Sequence, residues 1–306
     1  MPSARRSVPL AGLLVALAAA AAPADDASDK QKKVAEANVK KSEVGKTTVT
    51  DAEAVILVST LPEAKAKAVA DALSKVFKTA RKGLQFEEKE EAWKGKLTVY
   101  HLPNPKDYTL FMRLVVGASP DAPSFLSIRS DEPFVVGKSE GGAKGDPGDV
   151  AAEMGPLVSG AVLAAKAGSA TMLPGWVKTG FARAAALRAE GAGGKRLTAY
   201  KTQVRAAVTV KGKPTPIGDV WEGGPDADVL ATSLMDYFAY GPGQRNLAAF
   251  LTGLKPNENG DTPAITTAIE AAGWKLPELE AAWRKWVLAG LVEGKGPEPK
   301  KTPPAK

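Results

Sequence analysis

The hydrophobic pattern of this chain changes period near residue 140, and that change restricts the fold more than any other feature. Before it, apolar residues come in short runs rich in β-branched and aromatic types: Ala54 to Ser59 (AVILVS), Leu97 to Leu102 (LTVYHL), Phe125 to Ile128 and Phe134 to Val136. Short runs of this kind, bounded by turn formers, predict buried strands. In the second run Val99 and His101 fall on one face and Thr98 and Tyr100 on the other. Between the first two runs, Pro62 opens a helix with Ala66, Val69, Ala70, Leu73, Val76 and Phe77 at helical spacing, and Gly83 ends it. Asn104-Pro105 starts a shorter helix carrying Tyr108, Phe111 and Met112.

After the glycine-rich punctuation of residues 141–145 the spacing turns helical. Asp146-Pro147 supplies an N-cap and a first-turn proline. Val150, Met154, Leu157, Val158, Ala161, Val162 and Ala165 then fit a buried helix. Further helices are predicted over Leu173–Glu190, Ala227–Tyr240, Gln244–Thr252, Thr262–Ala272 and Leu276–Leu288. The expected fold is α+β: a small N-terminal sheet with flanking helices over residues 47–140, then a mainly helical unit over 141–290, the two meeting over a cleft. With 44% apolar residues in 306, the chain can bury a sizeable core.

The ends differ from this body. Residues 1–24 have the form of a secretory signal: Arg5 and Arg6, an apolar stretch from Val8 to Ala22, and a small-residue cleavage site at Ala22-Pro23-Ala24. That stretch is too short for a comfortable membrane span, so no span is expected once the signal is removed, and the location implied is periplasmic or extracellular. Cleavage removes two arginines and no acid, taking the net charge from +7 to +5. Residues 25–46 are charge-dense and predict a linker or a frayed helix. Residues 291–306 form a Pro/Lys-rich tail, expected to be disordered. Charges of both signs are mixed through the chain and no nucleic-acid motif accompanies them, which argues against a nucleic-acid partner.

Four stretches, in order, resemble the bacterial secreted gluzincin-like metallopeptidases. They are Trp93 to Tyr100 with Asp107 to Phe111, then Val150 to Val158, then Leu173 to Ala182 (LPGWVKTGFA), and last Leu234 to Phe238 through Tyr240-Gly241 and Phe250-Leu251 to Leu279–Trp283. The resemblance spans about residues 50–288. It implies a gluzincin-like helical domain in which Val150 to Val158 occupies the place of the H-E-x-x-H helix, and LPGWVKTGFA that of the helix bearing the third ligand.

Such a site needs two histidines four apart on one helix and a carboxylate from the next, with a glutamate as base for the zinc-bound water. Carried over residue by residue, the histidines fall on Ala152 and Pro156, the third ligand on Thr179, and the base on Glu153. Alanine and proline side chains offer no donor atom, and threonine is a poor substitute for a carboxylate. No cysteine is present, and His101 is the only histidine. The expectation is a pseudoenzyme with no metal, no cofactor and no catalytic residue, in which Glu153 is a vestige and the cleft binds a peptide or cell-envelope ligand. Pro156 is further expected to kink its helix.

The residues leave other readings open. His101 is expected as a packed or edge residue, and Glu153 also suits a first-turn helix acid beside the N-terminal dipole. Trp176, Trp274, Trp283 and Trp286 fit core aromatics better than a ligand box. Asp219, Glu222, Asp226 and Asp228 lie in a Gly/Pro-rich loop with oxygen donors of the type calcium takes, at a spacing that suits no EF-hand. A metal-free hydrolase would need a serine such as Ser159 or Ser169 with a lysine such as Lys166 or Lys178. A structural protein would hold anionic surface polymer through its Lys-rich ends.

Overall fold

The β-rich runs pair into one sheet, and the helical runs wrap both of its faces. The computed structural model describes residues 24–128, 132–138, 145–168, 173–209, 217–257, 259–261 and 263–294. All of the expected signal but Ala24, most of the expected tail, residues 141–144 of the glycine run, and Ser169 lie outside them.

In chain order the elements begin with α1 (Ala24–Lys41), β1 (Thr48–Asp51), β2 (Val55–Ser59), α2 (Glu63–Gly83), β3 (Leu97–His101) and α3 (Pro105–Phe111). Then come β4 (Ser124–Ser127), β5 (Phe134–Gly137), α4 (Pro147–Ala167), α5 (Gly175–Ala189) and α6 (Lys195–Thr209). The last are α7 (Asp219–Glu222), α8 (Ala227–Tyr240), α9 (Leu247–Gly253), α10 (Ile265–Ala271) and α11 (Leu276–Leu288). The fold is α+β, as the change of period predicts.

The sheet order is β1-β2-β3-β5-β4. The three central strands run parallel, with Leu57 beside Val99 and Val99 beside Val135, while β1 and β4 are antiparallel edges. A parallel step from β2 to β3 needs a crossover, and α2 supplies it. Parallel strands are covered on both faces: Val55, Leu57, Leu97, Val99 and Val135 join the core under α2 and α4, and Val58, Tyr100 and Val136 join Ala35, Tyr108 and Phe111 of α1 and α3.

α2 forms because Ala66, Val69, Ala70, Leu73, Val76 and Ala80 recur on one buried stripe. The Asp146 carboxylate accepts from the Gly148 amide at 2.8 Å and so caps α4, and Asn104 caps α3 by accepting from the Lys106 amide at 2.9 Å. One continuous apolar core runs from Val55 of the sheet to Leu291 beyond α11. The two units expected from the sequence therefore share their packing.

Several expectations need correction. Of the two readings of residues 25–46, linker or frayed helix, the helix is the one seen, packed and not frayed, since α1 occupies most of them. Its mean hydropathy is low, and polar contacts do the holding. Gln31 donates to the Lys94 carbonyl at 3.2 Å and accepts from the Lys96 amide at 2.9 Å. Asn38 donates to the Tyr100 hydroxyl at 3.0 Å, Lys32 and Lys96 share Asp51, and Ala35 is fully buried.

α6 and β1 were not predicted. Leu197, Tyr200, Val204 and Val208 of α6 do lie at helical spacing, diluted by Lys, Arg, Thr and Gln between them. In place of one helix over Gln244–Thr252, a 3-10 turn at Pro242–Asn246 leads into α9. α4 runs through Pro156 without a break. Proline deprives the Ala152 carbonyl of its usual donor, and the helix continues on either side of it.

Candidate functional site

The tight packing of α4 against α5 and of α5 against α8 starts with glycine. A Cβ on Gly180 of α5 would lie 2.5 Å from the carbonyl oxygen of Ala231 on α8, so the two helices approach to backbone contact there. On α4, Gly155 faces Ala186 and Val76 at distances that leave little room. Ser159, fully buried, directs its hydroxyl at the Ala182 carbonyl of α5 at 2.8 Å and at the Gly155 carbonyl of its own helix at 2.9 Å. Having one proton, it donates to one of them at a time.

Beside this contact, residues of both helices and of β4 line a common space. A cavity of about 550 Å³ opens between them, lined by Phe125 and Leu126 of β4, Pro156, Leu157 and Leu163 of α4, and Thr179 of α5. Its size is that of small-molecule sites. A second cavity of about 350 Å³ adjoins it, with Pro156 and Arg183 in both walls, and is bounded by Ala152, Glu190, Tyr200 and Asp228.

The positions singled out by the resemblance line two adjoining cavities. Ala152 and Pro156 sit one turn apart on α4. Pro156 and Thr179 face the larger cavity together, while Ala152 faces the smaller one beside Pro156. Thr179 already donates its hydroxyl to the Gly175 carbonyl at 3.0 Å. Glu153 is exposed and lies in the wall of neither cavity.

The other candidates are dispersed. His101, on a central strand and not an edge, is fully buried, and neither ring nitrogen has a hydrogen-bond partner. Burial pushes its pKa down to about 4, so the ring is neutral at pH 7. Lys166 pairs with Glu90 at 2.6 Å and stands 4.5 Å over the Phe86 ring. Lys178 is exposed at the rim of the larger cavity.

Asp219 and Glu222 form the short α7, and Asp226 and Asp228 flank the start of α8, where Asp228 pairs with Arg183 at 2.8 Å. Among the described residues no three His, Cys, Asp or Glu side chains converge on one point. Trp283 is fully buried and donates to the Ser233 hydroxyl at 2.9 Å, and Trp286 donates to the Val292 carbonyl at 2.9 Å. Trp176 packs against Phe250 and Trp274 against Tyr237. All four pack as core aromatics.

Sequence reasoning missed the pair Arg188 and Asp236, buried between α5 and α8. Neither residue stands in a recognisable motif. The only hint was an acid and a base inside otherwise apolar helical stripes. α4 alone among the described helices is long and apolar enough to cross a membrane, and much of it is buried inside the fold.

A scan against protein-family models and a search of curated proteins both find no match for this chain.

Proposed function

We propose that this chain is an exported, non-catalytic relative of the gluzincin peptidases, which uses the cleft between β4, α4 and α5 to hold a peptide or cell-envelope ligand. The observation that carries the proposal is the meeting of Pro156 and Thr179 in one cavity, with Ala152 a helical turn from Pro156. These are the positions where the resemblance places three zinc ligands. Ala152 and Pro156 carry side chains without a donor atom, and the Thr179 hydroxyl is a poor substitute for a carboxylate.

The chemistry of the walls supports binding over turnover. Ser159 is sealed in the α4–α5 contact and occupied by backbone carbonyls, Lys166 is paired with Glu90, and His101 lines neither cavity. Among the described residues β4 ends the sheet on this side, with one edge that could align an added strand. Calorimetric titration of the purified protein with zinc, combined with elemental analysis, tests the reading. No tight zinc is expected, and stoichiometric tight zinc overturns the proposal.

A further inference from the structure

Small side chains keep the larger cavity open. Gly160 and Ala164 of α4 and Ala182 of α5 lie in its wall, and a Cβ added at Gly160 would come no closer than 4.0 Å to the Ala182 methyl. Along α4 the lining runs from Pro156 to Ala167, a rise of roughly 16 Å at 1.5 Å per residue. The cavity is thus a trough, long in one direction. Phe125, Leu126, Leu157, Leu163 and Leu173 make most of its surface apolar.

Among the described residues the polar side chains in the wall are few. Ser124 stands on β4, and Lys178, Thr179 and Arg183 stand within six residues of one another on α5. Of the two cations, Arg183 is committed to Asp228 at 2.8 Å, whereas Lys178 has no ion-pair partner among the described residues. An apolar trough with one cation that has no ion-pair partner among the described residues complements a molecule that is apolar along its length and anionic at one end. A polypeptide fits less well, because each residue brings an amide N–H and C=O that must find partners when buried. The wall supplies few, and β4 is only four residues long.

We infer that the cleft holds a single-chain anionic amphiphile, with its acyl or alkyl chain in the trough along α4 and its carboxylate or phosphate head on Lys178. The inference rests on the reading of this cleft as a binding site, and it names the ligand.

The test is calorimetric titration of the full chain with dodecanoate, dodecyl phosphate and dodecanol, each below its micelle concentration. Saturable one-to-one binding of at least one anion is expected, at least tenfold tighter than dodecanol. The two anions separate a carboxylate head from a phosphate head. Lys178→Glu should weaken anion binding at least tenfold while Lys178→Arg retains it, and Gly160→Leu should abolish it by filling the trough. Circular dichroism identifies any variant that fails to fold, and Ala164→Leu then replaces Gly160→Leu.

No binding of either anion overturns the inference, as does binding that neither Lys178→Glu nor trough filling changes. A parallel titration with an uncharged apolar hexapeptide separates the two levels. If the peptide binds and Gly160→Leu blocks it while the anions do not bind, the cleft is still a binding site and the inferred ligand is wrong. The zinc titration decides the non-catalytic reading independently of all these outcomes.

Discussion

Arg188 of α5 holds Asp236 of α8 through two parallel hydrogen bonds, Nε to Oδ1 and Nη2 to Oδ2, both 2.8 Å long. The side chains are 4% and 0% exposed, so water cannot replace either partner. Burial pushes the Asp236 carboxyl up to about 6, against the pull of the guanidinium, which leaves the pair ionic at pH 7. The Arg188 Nη2 also donates to the Leu291 carbonyl at 2.8 Å, fastening the chain beyond α11 to α5.

Removing Asp236 leaves the buried Arg188 only its longer ion pair with Glu293 at 3.8 Å, and breaking a buried pair costs about 3–5 kcal/mol, whereas replacing both with apolar residues of similar volume is far milder. Asp236→Ala is therefore expected to lower unfolding stability in urea by that amount. Arg188→Met with Asp236→Leu should recover most of the loss. Hydrogen exchange at Leu291 should accelerate in either variant, since each removes the Arg188 contact or its anchor.

His101 makes stability depend on pH. Its ring is neutral in the folded chain down to about 4, against 6.5 when unfolded. Between these values the unfolded chain binds a proton that the folded chain does not, so stability falls as pH drops through the window and is fully present above pH 6.5. The shift corresponds to about 3 kcal/mol at most. Asp236, raised to about 6, acts in the opposite sense over much of this window, so the change in urea midpoint from pH 7 to pH 4 should shift toward relatively greater stability at pH 4 in His101→Leu than in the unaltered protein. Equal differences would mean the buried ring does not drive the slope.

Two glycines on facing helices should respond in opposite directions. Gly180→Ala drives a methyl to 2.5 Å from the Ala231 carbonyl oxygen, and overpacking of this kind costs about 1–3 kcal/mol. Gly160→Ala meets nothing closer than 4.0 Å and gains about 0.5–1 kcal/mol from the better helix former. Thermal unfolding of the two single variants checks the signs.

What was legible in the sequence followed how strongly each segment depends on burial. β2, β3, α8 and α11 are dense in apolar residues, and their bounds lie within a residue or so of expectation. α1 was hidden because what fixes it lies far away in sequence: the Lys94 carbonyl, the Lys96 amide and the Tyr100 hydroxyl. No local pattern encodes partners about 60 positions distant. α6 was diluted by its solvent face.

At the proposed site, Ala152, Pro156 and Thr179 were singled out only by the resemblance. The trough could not be read from the sequence, because it is made by Gly160, Ala164 and Ala182, small residues whose meaning depends on which helix they face. Arg188 and Asp236 are 48 positions apart and become a pair only once α5 and α8 are in contact.

The central claim is that Ala152, Pro156 and Thr179 occupy the corners of a metal site that has lost its donors. Restoring them is the most direct measurement: zinc titration of the variant Ala152→His, Pro156→His, Thr179→Glu, with folding verified by circular dichroism. The account predicts stoichiometric zinc binding, through two imidazoles a helical turn apart and one carboxylate from α5, where the unaltered chain binds none. A folded triple variant that takes up no zinc would contradict it, because the three positions would then not share a coordination sphere.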